Sequence, residues 1–572
     1  MTDIRRTILW VIFGFSLVML WDQWQVYNGR PATFFPTKPA QTAKAPASAT
    51  PGTPAAPAVS ASNVPATTAA SAAATPGAVP GSAPAAAAQH EKVVVSTDVL
   101  RVTFDTEGGS IVRTELLKIP EDKGNKKEKD LGPFVLMDES AERVYVAQTG
   151  LIGGDFPNHK TVMSFSGDRT LKDGANELTV KFESPAIGGV KLVKTYTFKR
   201  GSYDMVVNHE VVNTGTAPVS PQLYVQLVRD GNKPANQSSF YSTFTGPAVY
   251  TEGAKYHKVD FKDIDKGSAE IDKSATSGWV AMVQHYFASA WILPDGTKRE
   301  NFVRQVSNNL YAVGMITPVT VAPGQARTVK AQLYSGPEDE RTLENVATGL
   351  ELVKDYGWLK IIAKPLYWLL TELHKLIGNW GWSIMALVLT IKVAFYWLQA
   401  KGYESMAKMK AINPRVQSLR ERFKDNPQQM QQEMMRIYKE EKVNPLGGCL
   451  PIFVQIPVFI ALYWVLLSSV EMRNAPWIGW IHDLSSPDPY FILPVIMTLT
   501  TLLQTALNPV PPDPMQAKMM WIMPLVFSVM FFFFPAGLVL YWITNNVLSI
   551  AQQWLINTRM GVPPQFNLPK FK

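Results

Sequence analysis

Lys392 is the only charged residue in the apolar stretch Leu376 to Ala400. A cation inside a bilayer costs about 2.5–3.5 kcal/mol on insertion scales unless it meets water, a partner or the interface. Nine residues separate it from Lys401, about 13 Å of helix rise, which puts it near the middle of a hydrocarbon core about 30 Å thick. Its stem can snorkel to the cytoplasmic interface, or its ammonium can face a hydrated cavity. Gln455, Gln504, Asn545 and Asn546 lie in three later apolar stretches, and each needs a hydrogen-bond partner or water at that depth. Convergence with Lys392 on one cavity and use as separate interhelical ties both fit. A cavity of this kind suits a one-sided groove that admits polar parts of another protein partway into the membrane. Cys449 is the sole cysteine and the seven histidines are scattered, which excludes a disulfide framework and zinc spacing. No catalytic centre, metal or cofactor is expected.

The elements that must position these residues follow from hydropathy and charge. Residues 1–29 read as a cytoplasmic tip and transmembrane anchor, because Ile8 to Trp21 is apolar behind Arg5 and Arg6 and is extended by Trp24, Val26 and Tyr27. Residues 30–90 read as an Ala/Pro-rich tether; Pro31 to Gln89 holds 22 Ala and 11 Pro in 59 residues, a composition that cannot bury a core. Residues 91–345 alternate with period two, as in Leu100, Val102 and Phe104, or Met205, Val207, His209 and Val211 before the turn Asn213-Thr214-Gly215. They predict a large antiparallel β-sandwich. It shows no phosphate loop, nucleophile elbow or paired His/carboxylate motif, so a binding or spacing module is expected.

Residues 346–375 predict an interfacial amphipathic helix, ending near Pro365, with Leu352, Tyr356, Leu359 and Ala363 on one face. Transmembrane helices are expected at 376–400, 446–470, 490–508, 519–534 and 535–558. The last two come from one block of 40 residues, about 60 Å as helix, broken at Pro535-Ala536-Gly537. With the anchor this makes six spans. Between Lys401 and Lys442 lie ten Lys or Arg against six acids, whereas Glu471 to Pro489 has only Arg473 among Lys and Arg. The positive-inside rule then makes 401–445 a cytoplasmic hairpin, 471–489 a periplasmic loop, 509–518 a cytoplasmic loop and 559–572 a cytoplasmic tail. The sandwich is outside, and both termini are inside. The +8 net charge sits where a multi-pass protein of a bacterial inner membrane keeps it, so no direct nucleic-acid recognition is expected. Met406, Met409, Met430 and Met434 stripe the hairpin; they either bury against one another or offer adaptable contacts to apolar clients.

Lys442-Val443-Asn444-Pro445-Leu446-Gly447-Gly448-Cys449-Leu450-Pro451 followed by Gln455-Ile456-Pro457 resembles the signature of the YidC membrane protein insertases. Tyr403 to Met409, Trp480 to Leu484 and Phe534 to Trp542 are similar to other stretches of that family. The resemblance covers about Tyr356 to Thr558, and the anchor, tether and sandwich before it resemble the Gram-negative branch. It implies a multi-span α-helical membrane protein with five of its six helices forming an insertase core, plus an all-β periplasmic sandwich of mutarotase-like supersandwich type. The core would enclose a hydrophilic groove open to cytoplasm and lipid. A basic residue, commonly arginine, occupies the position matching Lys392; lysine keeps the charge and loses the planar fork. Gln455 and Trp542 fall at groove-lining positions. Implied partners are nascent inner-membrane proteins, the Sec translocon and its accessory subunits, ribosomes and targeting factors, and membrane lipid. The short tail from Gly561 weakens ribosome tethering. The resulting expectation is a non-enzymatic insertase and chaperone. A polar-solute transporter with a periplasmic binding domain is the alternative, and a membrane-anchored sugar enzyme the third.

Overall fold

The computed structural model describes residues 90–121, 131–234, 243–357, 359–423, 426–441, 450–508, 514–561 and 566–567. The expected anchor, nearly all of the tether, the segment Lys442 to Cys449 and most of the tail lie outside the described residues. The chain divides into two compact units, one ending at Lys354 and one beginning at Asp355.

The first unit holds two nine-stranded antiparallel sheets. One runs β1 (Lys92–Ser96), β2 (Leu100–Asp105), β3 (Ser110–Pro120), β4 (Pro133–Glu139), β5 (Val144–Ile152), β10 (Gln222–Asp230), β17 (Leu310–Pro318), β16 (Arg299–Ser307), β13 (Ser274–Ala275). The other runs β12 (Lys255–Lys258), β11 (Gly246–Thr251), β14 (Trp279–Gln284), β15 (Phe287–Ile292), β18 (Ala326–Pro337), β9 (Asp204–Asn213), β8 (Val190–Lys199), β7 (Glu177–Glu183), β6 (Ser164–Gly167). The alternation expected for 205–211 is present: Met205, Val207, His209 and Val211 are buried and the residues between them are not. The side chain of Asn213 closes the following turn by accepting from the Gly215 amide at 2.9 Å. Phe104 of one sheet packs on Tyr196 and Phe182 of the other, with centroids 4.8 and 5.0 Å apart, so the sheets meet face to face. Two short helices, α1 (Phe261–Asp265) and α2 (Glu340–Val346), lie outside the sheets.

The second unit is helical. Its first helix, α3 (Lys360–Ile377), starts before Pro365 and passes through it, which corrects the expectation of a helix ending there. The missing proline N–H removes one bond near the helix start. Burial of Ala363, Leu366, Tyr367 and Leu370, spaced as one helical face, outweighs that loss. Gly378, at φ +74°, ends α3, and Asn379 starts α4 (Trp380–Ala394) by accepting from the Trp382 amide at 3.1 Å.

The helix expected at 376–400 is not continuous. α4 ends at Ala394, and the chain turns 70° into α5 (Tyr396–Arg422). Four helices follow α6 (Pro427–Glu440): α7 (Leu450–Ser468), α8 (Ile492–Leu507), α9 (Pro514–Phe531) and α10 (Ala536–Arg559). The break between the last two falls at the expected Pro535. Among the described residues no single helix is long and apolar enough to cross a membrane; the bent pair of α4 and the start of α5 is, taken together.

The loop from α7 to α8 is fixed by two carboxylates. Asp483 accepts from the Asn474 and Ser485 amides and from the Ser485 and Ser486 hydroxyls. Asp488 accepts from the Trp480 indole and the Tyr490 and Leu493 amides. The loop's Leu484 carbonyl receives the Gly537 amide at 2.9 Å, so the two stretches Trp480 to Leu484 and Phe534 to Trp542 are joined at the start of α10.

Candidate functional site

α10 lies among α4, α5, α7 and α8, and its first turns, Ala536 to Tyr541, are buried in their apolar core. Beyond Tyr541 its buried face becomes polar: Asn545, Ser549 and Gln552, at helical spacing. Lys392 comes from the last turn of α4 and is 7% exposed. Its Nζ donates to Ser549 Oγ at 2.7 Å. Ser549 in turn donates to the Asn545 carbonyl one turn back, at 2.7 Å. The bend after Ala394 removes the straight-helix argument for the depth of Lys392. Ser549 supplies another: it is ten residues before the end of a 24-residue helix, about 15 Å of rise from that end.

Lys392, Gln399, Gln455 and Asn545 form the polar side of a recess, closed by Val388, Ile391, Val458 and Tyr541, with room of about 20 Å³. That holds one water. Asn545 Nδ2 and Gln399 Oε1 are buried without a partner among the described residues. Buried amides in this state require water or an incoming polar group. No charged group among the described residues acts on Lys392. The recess therefore presents a cation and two amide groups with hydrogen-bonding capacity to spare, a set that binds carboxylates and peptide groups.

Of the expected groove residues, Lys392, Gln455 and Asn545 meet here and three others do not. Asn546, rotated about 100° from Asn545, points at α8 and donates to Thr501 Oγ1 at 2.9 Å and Thr500 Oγ1 at 3.2 Å. Gln504 is half-buried on α8, away from the recess lining. Trp542 packs on Phe459 and Phe531, with centroids 4.7 and 5.1 Å apart. Gln399 and Ser549, which also meet Lys392 or line the recess, are not among the residues expected from sequence. The signal was available for Gln399, an uncharged polar residue at the edge of an apolar block.

In the hairpin, Ile412 and Val416 form a small core with Met409, Met434, Ile437 and Tyr438. Met409 and Met434 thus serve the hairpin itself, and Met406 and Met430 are half-buried. The outward methionine is Met435, 49% exposed, in a shallow patch with Gln431, Arg436 and Lys439.

The sandwich contains its own buried cation. Lys194 is fully buried and donates to the carbonyls of Gly108, at 2.5 Å, and Thr149, at 2.7 Å. Burial pushes its ammonium down to about 7. His209 beside it hydrogen-bonds Thr149 Oγ1 at 3.0 Å and is held down to about 3, by burial first and by the Lys194 charge second. Among the described residues no group of His, Cys, Asp and Glu could hold a metal ion.

Two family models match the chain: the YidC periplasmic domain over residues 92–369 and the 60Kd inner membrane protein over residues 372–562. The membrane protein insertase YidC of Cupriavidus necator is 58% identical over 561 residues, 98% of each chain. That of Ralstonia nicotianae is 57% identical over 562 residues, again 98% of each. A crystal structure of an active YidC insertase aligns over 81% of this chain and 92% of its own, at 17% identity and TM-score 0.37. An Escherichia coli putative aldose 1-epimerase aligns over 44% of this chain and 100% of its own, at 9% identity and TM-score 0.27.

Proposed function

The chain belongs to the YidC family of membrane protein insertases, and we propose that it inserts clients by offering the Lys392 recess to their polar, preferentially acidic, residues while their apolar segments stay against lipid. The observation that carries this reading is the buried ammonium of Lys392, held by one neutral hydroxyl with no counter-charge among the described residues. A carboxylate entering the recess supplies that charge. At an effective dielectric near 20 the attraction is a few kcal/mol, more than at a surface. The inward bond to α10 supports a groove over a snorkelling lysine.

The same reading takes the protein as multi-pass in the bacterial inner membrane, with six spans, both termini cytoplasmic, and the mutarotase-like sandwich in the periplasm without catalysis of its own. Clients are nascent inner-membrane proteins, received from ribosomes and targeting factors and handled alone or beside the Sec translocon. Labelling of single cysteines tests the orientation: residues 401–442 should react from the cytoplasm and 479–488 from the periplasm. For the recess, a photoreactive residue at Gln455 should capture an arrested acidic client in cells, and one at Gln504 should not. Equal capture at the two positions would contradict the reading.

A further inference from the structure

We infer that Ser549 is a positioning residue for insertion, holding the Lys392 ammonium in the recess without neutralising it. The inference rests on the electrostatic role given to Lys392 above. Ser549 is fully buried, and its proton is committed to the Asn545 carbonyl at 2.7 Å. Its oxygen is thereby turned, as an acceptor, to Lys392 Nζ at 2.7 Å.

A lysine stem has four rotatable carbons and a point charge with three donors. One donor bound to Ser549 fixes where the charge sits and leaves two for water or a client carboxylate. An acid in place of the serine would fix the ammonium equally well and cancel it. A neutral acceptor is therefore the chemistry that keeps a long, flexible cation both placed and available.

The test measures insertion of an acidic client relative to a matched uncharged client, at matched levels of full-length insertase in cells. Ser549→Ala should lower this ratio roughly three- to tenfold, the range one hydrogen bond supports, and Ser549→Thr should restore it. Ser549→Asp should lower it at least as far as Ser549→Ala. In a Lys392→Met background Ser549→Ala should add nothing to the change in ratio. An unchanged ratio in Ser549→Ala, while Lys392→Met lowers it, would overturn the positioning role and leave the role of Lys392 intact. A ratio untouched by Lys392→Met would remove the electrostatic reading and this inference with it. Should Ser549→Asp not accumulate, the Ala, Thr and double variants decide alone.

Discussion

Among the described residues Lys194 of the sandwich and Lys392 of the helical unit are both buried, and they are held in different ways. Lys194 in the sandwich is fully buried and bound by two backbone carbonyls, Gly108 and Thr149, which stitch one sheet to the other. Lys392 in the helical unit has one serine hydroxyl, and beside it Asn545 Nδ2 and Gln399 Oε1 have no partner among the described residues. A buried lysine whose hydrogen bonds tie one sheet to the other is part of the architecture. One held by a single side-chain hydroxyl, beside a polar recess with room for water, is available for work.

The comparison is broken or sharpened most strongly at Lys194. Lys194→Ala removes the donor from two buried carbonyls and leaves a cavity, and should destabilise the sandwich by roughly 2–5 kcal/mol. Thermal unfolding of the detergent-solubilised full chain, followed through its β-sheet signal, reads this. Lys392→Met should leave the melting of the helical unit unchanged or raise it, because a poorly compensated buried charge has been removed. Equal destabilisation by the two substitutions would erase the distinction.

A second contrast lies in pH. The folded chain holds the Lys194 ammonium at about 7 against 10.5 for a free lysine. Between those values the unfolded chain binds the extra proton, so this contribution to stability is absent below about pH 7 and grows as pH rises. The slope approaches ~1.4 kcal/mol per pH unit. It is read between pH 7 and 9, below the range where the buried phenols of Tyr196 and Tyr224, held up by burial, begin to ionise in the unfolded chain. The difference between the parent and Lys194→Met, a variant that fills the site, should carry this slope. A flat difference would mean that the lysine stays charged when folded.

The smallest effect is expected at Asn546, whose amide is satisfied by Thr500 and Thr501. Asn546→Ala should cost about 1 kcal/mol and affect acidic and uncharged clients alike. Selective loss of acidic clients would move Asn546 into the recess.

The sandwich was legible because strand alternation reports burial directly, residue by residue, as in Met205 to Val211. Lys194 was not, since a strand lysine ordinarily faces water, although it falls in phase with Val190, Leu192, Tyr196 and Phe198. In the helical unit, polar residues within apolar stretches marked the site correctly in kind. Facing could not be read, because neighbouring Asn545 and Asn546 serve different sides of α10 and only the packing of α4 and α8 decides which is which. The bend at Phe395 has neither proline nor glycine to announce it. Ser549 carries no signal at all, since a helical serine ordinarily does no more than bond its own backbone, and its meaning comes only from a residue 157 positions earlier.

The central claim, that the recess cation is open to clients, is tested most directly by one client made in acidic and uncharged versions and inserted by the parent, Lys392→Arg and Lys392→Met at matched expression. Lys392→Arg should retain insertion of both versions, whereas Lys392→Met should insert the uncharged version and lose most of the acidic one. Equal insertion of the two versions by Lys392→Met would contradict the account and leave Lys392 as a structural lysine like Lys194.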